Sequence, residues 1–297
     1  MHEVDIDPVE LPFGIGEVDY TQYTNRQLAA VPLAVLAVAL AVLVVWTVAV
    51  APTGIPVVMG IEFTGGTELA IETTDSKAQI QDTFGDEATV QGIQGQANSW
   101  IVTVQSDDAE AIRDQADAAG YNVKYGVTTG ETFGAQSQQL ALFGVGLAFV
   151  GMSLVVFIVF RTFVPSVAVV ISAFSDIVIP LAVMNLLSIK LTLGTVAALL
   201  MLIGYSVDSD ILLNNHVLRR RGGFYESAYN AMRTGVTMTL TSIAAMTVMT
   251  LVASFFQIPL MPAIGKVLVV GLTADLMNTY LLNFSLLRWY KYEGVGR

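Results

Sequence analysis

Six apolar runs divide the chain, at about Leu28 to Ala51, Leu140 to Phe160, Val164 to Leu187, Leu193 to Val217, Val236 to Phe256 and Ala263 to Leu287. Each has about the 20 residues that an α-helix needs to cross a hydrocarbon core. Six transmembrane helices are therefore predicted. Between the first and second runs the pattern changes to short alternations broken by glycine. Ile61 to Glu72 reads as β-rich, and Ser76 to Phe84 as a helix with Ser76 as its N-cap. Thr89 to Ile93 and Trp100 to Val104 read as two strands across a Gly/Asn/Ser turn. Asp107 to Ala119 reads as a helix closed by Gly120, and Asn122 to Val127 as a last strand. The order βαββαβ predicts a small ferredoxin-like α/β sandwich inserted into an α-helical membrane protein. With roughly 75 residues its own core is marginal, so it should lean on its membrane base or a partner.

Lys and Arg near the span ends set the orientation. Arg26, Arg161, the group Arg219, Arg220, Arg221 and Arg233, and the group Arg288, Lys291 and Arg297 all fall on one side. That side is cytoplasmic, and Lys190 and Lys266 fall on the other. The expected division is a cytoplasmic segment 1–27, the first span 28–51, an exported domain 52–137, spans two to six over 138–288, and a cytoplasmic tail 289–297. Ala49 and Ala51 imitate a leader cleavage site, but the run before them is long and its flank acidic, so a retained anchor is expected.

Composition agrees with a lipid-embedded chain: 54% hydrophobic, 13% charged, mean hydropathy +0.63. The net charge of -11 is concentrated between Thr53 and Ser137, where thirteen Asp and Glu face three Lys and Arg. Such a domain repels phosphates, which excludes nucleic acid as a partner. Acidic surfaces keep a domain soluble, and at this density they suggest a protein working in high salt, where self-repulsion is screened. There is no cysteine, and the two histidines, His2 and His216, stand alone. No metal or cofactor signature is present, and no catalytic set suggests an enzyme.

Carboxylates inside spans are functional candidates, because an Asp at a helix centre costs about 2.5 to 3.5 kcal/mol on insertion scales. Asp176 lies near the middle of span three, Asp275 near the middle of span six, and Asp208 and Asp210 in span four. Asp208 is about 22 Å along the helix from Leu193, in the inner part of the bilayer. Two positions apart on a helix is about 200°, so Asp208 and Asp210 cannot both enter one cleft. Arg233, at the start of span five, is the nearest basic partner by depth; the lesser alternative is an ordinary positive-inside anchor. Carboxylates beside an arginine make a plausible proton relay. Asp275 is as well explained as an interhelical hydrogen-bond anchor. Pro180, Gly194 and Gly204 interrupt spans three and four, and the Thr- and Ser-rich span five suits either close packing or a polar path.

Two motifs carry a resemblance. Gly60-Ile61-Glu62-Phe63-Thr64-Gly65-Gly66-Thr67 resembles the Gly-Ile-Asp-Phe-Thr-Gly-Gly-Thr signature of SecD and SecF proteins, with Glu for Asp. Ile203-Gly204-Tyr205-Ser206-Val207-Asp208-Ser209-Asp210 is similar to the Ile-Gly-Tyr-Ser-Ile-Asn-Asp-Thr of SecF, and Arg233-Thr234 to that family's Arg-Thr stretch. The resemblance covers the whole chain and implies an archaeal-like member from a salt-adapted organism. It implies half of an RND-type transporter, paired with SecD, promoting passage of exported unfolded polypeptides through the SecYE channel, with proton flow as the drive. The family's Asp falls on Ser209, whereas SecD's own motif puts its Asp at Asp208. Asp208 is accordingly the first choice for the titrating site and Asp210 the second.

Thr64-Gly65-Gly66-Thr67 lacks the spacing and Lys-Ser/Thr ending of a phosphate-binding loop, so an ATP-driven engine is unsupported. The alternatives are a structural or substrate-holding subunit of the translocon and a half-size RND-like exporter of small molecules.

Overall fold

The computed structural model describes residues 9–10, 17–50, 56–93, 96–219, 223–256 and 258–293. His2, Ala51, Arg220, Arg221, Arg297 and part of the turn after Ile93 lie outside the described residues. The chain divides into a helical unit, Met1–Val58 with Val145–Ile189 and Gly194–Arg297, and an α/β unit, Met59–Gly144 with Lys190–Leu193.

The helical unit opens with a short antiparallel ribbon of β1 (Val9–Glu10) and β2 (Glu17–Val18). α1 (Asn25–Val45) starts at a capping box, in which Thr24 Oγ1 accepts from the Gln27 N–H and the Gln27 side chain accepts from the Thr24 N–H. It runs on into a π-helical turn, Trp46–Val50. Among the described residues, six helices are long and apolar enough to cross a membrane. After α1 these are α5 (Glu131–Phe160), α6 (Phe163–Leu186), α7 (Leu193–Arg219), α8 (Phe224–Phe255), and a last span in which α9 (Met261–Met277) passes through a π-helical segment, Asn278–Asn283, into α10 (Phe284–Tyr292).

Two helices begin well before their apolar runs. α5 starts at Glu131, where its first turns pack within the α/β unit. α8 starts at Phe224 because Phe224, Ala228, Tyr229 and Met232 bury against Tyr20, Leu28, Phe284 and Leu287. Arg233 thus lies inside α8 rather than at its start. The expected interruption at Pro180 is absent: α6 is continuous through it. A proline removes one intrahelical hydrogen bond, and membrane helices tolerate that where neighbours pack around the site.

Arg288, one of the basic residues used to set the orientation, is 8% exposed and clamps the segment before α1. Its guanidinium donates to the carbonyls of Tyr20 (2.9 Å) and Tyr23 (2.7 Å) and to Asn25 Oδ1.

In the α/β unit, α2 (Ile61–Thr64) is one helical turn. The β-rich reading of Ile61 to Glu72 therefore holds only from β3 (Gly66–Glu72) onward. Gly65 and Gly66 have φ of 76° and 107°, which reverse the chain from turn to strand, and a Cβ at Gly66 would stand 2.5 Å from the Val104 carbonyl oxygen. There follow α3 (Lys77–Phe84), β4 (Thr89–Gly92), β5 (Ser99–Val104), α4 (Ala109–Ala118) and β6 (Asn122–Thr129). Ser76 caps α3 in a capping box with Gln79, and Gly120, at φ 77°, follows α4. The sheet is antiparallel in the order β4-β5-β3-β6. Leu69, Ile71, Val90 and Val102 on one sheet face pack with Ile80 and Phe84 of α3 and Ile112 and Ala116 of α4. Both helices therefore cover the same face.

Candidate functional site

Three carboxylates, Asp176 of α6, Asp210 of α7 and Asp275 of the last span, are buried at 1%, 0% and 1% exposure. Among the described residues, the hydrogen-bond donors to them are neutral hydroxyls and amides. Asp176 Oδ2 accepts from Ser206 Oγ at 2.6 Å and Oδ1 from Asn278 Nδ2 at 2.6 Å. Asp275 accepts from Ser209 Oγ at 2.9 and 3.1 Å. Asp210 Oδ1 accepts from Thr279 Oγ1 and Asn283 Nδ2, both at 2.8 Å, while Oδ2 has no hydrogen-bond partner within 3.5 Å among the described residues.

The hydroxyls connect these groups. Thr279 Oγ1 is also 3.4 Å from Asp275 Oδ1 and 3.3 Å from Ser209 Oγ. Ser209 Oγ can alternatively donate to the Ser206 carbonyl at 2.8 Å. Each hydroxyl owns one proton and faces more acceptors than it can serve. A proton added to one carboxylate can therefore be matched by rotation of Thr279 and Ser209, without moving the backbone. Taking ionised carboxylates into an apolar bundle is costly without cations beside them, and bridging protons lower that cost.

Local structure explains the arrangement. Ser206, Ser209 and Asp210 occur within five residues of α7, on the face that also buries Leu202, Leu213 and Asn214. Asn278, Thr279 and Asn283 all belong to the π-helical segment. Its i to i+5 pattern brings Asn278 and Asn283 nearer to one face than an α-helix would, and π-turns recur at functional sites.

The residues singled out from sequence separate into two groups. Asp176, Ser206, Ser209, Asp210 and Asp275 come together. Asp208 does not: it is exposed on the opposite face of α7, on a stripe with Ala197, Met201 and Gly204. Arg233 is exposed on α8, and among the described residues no hydrogen bond or ion pair joins its side chain to the cluster. The 200° separation expected between Asp208 and Asp210 is thus observed, with Asp210 among the buried carboxylates and Asp208 outside them. Tyr205 Oη donates to Thr239 Oγ1 at 3.2 Å, joining α7 to α8. Asn278, Thr279 and Asn283 were missed. Their signal is three polar side chains in an apolar span, all at 0% exposure. The Gly60, Phe63, Thr64, Gly65, Gly66 and Thr67 motif lies in the α/β unit.

The family model described as protein export membrane protein SecD/SecF, C-terminal, matches residues 110–293. A protein-export membrane protein SecF of Haloferax volcanii is 61% identical, over 96% of this chain and 99% of its own length. The chain belongs to the SecD/SecF family of protein-export membrane proteins. Haloquadratum walsbyi SecF is 60% identical, over 96% and 99% of the two chains, and Methanolacinia petrolearia SecF 43%, over 93% and 97%. The two relatives at 60% or more come from halophilic archaea, in keeping with the acidic α/β unit. Among solved structures, the fold is similar to SecDF, a translocon-associated membrane protein from Thermus thermophilus, with TM-score 0.70 at 18% identity. That match covers 90% of this chain and 38% of the SecDF chain. Six candidate spans in a member of this family make it a multi-pass membrane protein.

Proposed function

We propose that this SecF-family chain acts with a SecD partner to promote translocation of unfolded polypeptides through the SecYE channel, and that protons held by Asp176, Asp210 and Asp275 couple the work to the proton gradient. The observation carrying this reading is the hydroxyl of Thr279 shared between Asp210 and Asp275. The site lies within one chain, along the inner faces of α6, α7 and the last span.

The partner reading rests on incompleteness. The chain matches 38% of the SecDF chain, so the larger part of that chain has no counterpart in this match. Asp208, exposed on an apolar span beside the open Gly204, is a poor neighbour for lipid and a good one for a partner helix with small or polar residues. The antiparallel order β4-β5-β3-β6 with both helices on one face supports a ferredoxin-like description of the α/β unit. The distribution of Arg and Lys supports cytoplasmic termini and an exported α/β unit.

The test is export of Sec substrates in vesicles holding this chain, its SecD partner and the translocon, with and without a proton gradient. Gradient-dependent stimulation is expected. Equal export under both conditions would favour a structural or substrate-holding subunit instead.

A further inference from the structure

The buried cluster holds polar groups that its hydrogen bonds do not use. Among the described residues, Asp210 Oδ2, Asn283 Oδ1, Ser172 Oγ and both amide atoms of Asn214 make no hydrogen bond to the protein. All four side chains are at 0% exposure and come from three spans: Ser172 from α6, Asp210 and Asn214 from α7, and Asn283 from the last. They are neighbours. Asn283 donates to Asp210 through its other amide atom at 2.8 Å, and Ser172 interacts with Asp210 without forming a direct hydrogen bond. Asn214 lies one helical turn beyond Asp210 on the same buried face of α7.

Burying polar groups without partners is costly, and protein interiors meet that cost with ordered water making about two to four hydrogen bonds. A polar pair that misses a direct bond, as Ser172 and Asp210 do, is where such a bridge forms. Four helical positions rise about 6 Å, and two hydrogen bonds of about 2.8 Å through one water span that distance, so a single water reaches from Asp210 to Asn214. Two nearby polar groups face elsewhere. Tyr280 Oη points at Gly235 of α8, and His216 Nδ1 is 2.8 Å from the Leu212 carbonyl of its own helix. Among the described residues, Asn214 is the last buried polar side chain on this face of α7. Toward Arg219 the next is Val217, packed with Leu213, Phe284 and Leu287 in an apolar layer.

We propose that Ser172, Asp210, Asn214 and Asn283 hold an ordered water on the Arg219 side of the carboxylates, and that Asn214 positions it as the station through which Asp210 exchanges protons at that end of the span. A proton leaves Asp210 Oδ2 for the water as another leaves the water on its far side, so the water is regenerated and the carboxylate keeps the charge. Asn214 is a positioning residue: its amide directs the water by donating and accepting, and neither gains nor loses a proton. This inference deepens the proton-coupled reading above and rests on it.

The test uses the full chain with its SecD partner in vesicles. Infrared spectra on transfer to heavy water give the rate at which the Asp210 carboxyl proton exchanges, the band being the one that Asp210→Asn removes. Asn214→Leu keeps the volume and removes the amide, and should slow exchange about tenfold, as for loss of a proton-transfer bridge. Asn214→Ser keeps a hydroxyl and leaves room for water, and should recover most of the rate. Ser172→Ala, a smaller change on the neighbouring helix, should slow exchange several-fold. Wild-type exchange in Asn214→Leu or in Ser172→Ala would overturn the water site. Equal slowing in Asn214→Ser and Asn214→Leu would overturn it too, since it marks a packing effect. If Asp210→Asn removes no carboxyl band, the proton-holding reading itself fails; if the band is present and its exchange ignores Asn214, the water site fails alone.

Discussion

Asp210 and Asp275 share one hydroxyl: Thr279 Oγ1 lies 2.8 Å from Asp210 Oδ1 and 3.4 Å from Asp275 Oδ1. A single proton can serve only one of them at a time, and Ser209 offers the same choice between Asp275 and the Ser206 carbonyl. A buried network with fewer donor protons than acceptors is suited to gaining and losing protons.

Thr279→Val keeps the shape and removes the shared hydroxyl. Gradient-dependent export should fall several-fold, and Thr279→Ser should recover most of it. The stability loss should stay within about 1–3 kcal/mol, the cost of an unmet buried acceptor. Full export by the valine variant in correctly assembled complexes would remove Thr279 from the relay.

Glu62 offers a pH test outside the membrane. Half-burial holds its carboxyl above the usual range, and nearby Glu68 adds to this, while its own backbone N–H and Lys190 act the other way. The folded form therefore binds the proton more tightly than the unfolded chain does. Stability is unaffected below the unfolded value of about 4.3 and is lost as pH rises through the folded value. Glu62→Gln should melt higher than wild type at pH 7 and match it near pH 4. Melting curves that differ by the same amount at both pH values would contradict this.

Arg288→Met should release the segment before α1, because two backbone carbonyls and Asn25 lose their donor. A loss on the order of 3 kcal/mol is expected for a group making several charge-assisted bonds. Faster proteolysis between Tyr20 and Asn25 would report it, and unchanged protection would argue that the aromatic packing of Tyr20 suffices.

Asp208→Leu should leave the melting of the isolated chain nearly unchanged, since the side chain is exposed. It should reduce recovery of a SecD partner on co-purification from membranes. Undiminished recovery would remove Asp208 from the interface.

The six spans were legible because runs of lipid-facing apolar side chains need no tertiary context. The early starts of α5 and α8 were not, since the close approach of Glu131 and Gly134 to Phe63 and Gly65, and the burial of Phe224, Ala228, Tyr229 and Met232, are packing that hydropathy does not register. The separation of Asp208 from Asp210 followed from helix geometry alone. Which of the two turns inward depends on the phase of α7, and the motif comparison pointed to Asp208. The burial of Leu202, Leu213 and Asn214 points to Asp210. Asn278 and Asn283 were hidden for a different reason: five residues apart, they converge only in a π-helical segment, which a 3.6-residue period does not anticipate.

The central claim is that protons are held at the buried cluster and not at Asp208. Its most direct test compares Asp210→Asn with Asp208→Asn in vesicles containing the assembled complex, reading proton flux coupled to export. Asp210→Asn should lower coupled flux roughly tenfold or more, as for loss of a positioned proton-transfer group, while Asp208→Asn in complexes of equal assembly should keep it within about twofold. The reverse order of effects, or normal flux in Asp210→Asn, would contradict the account.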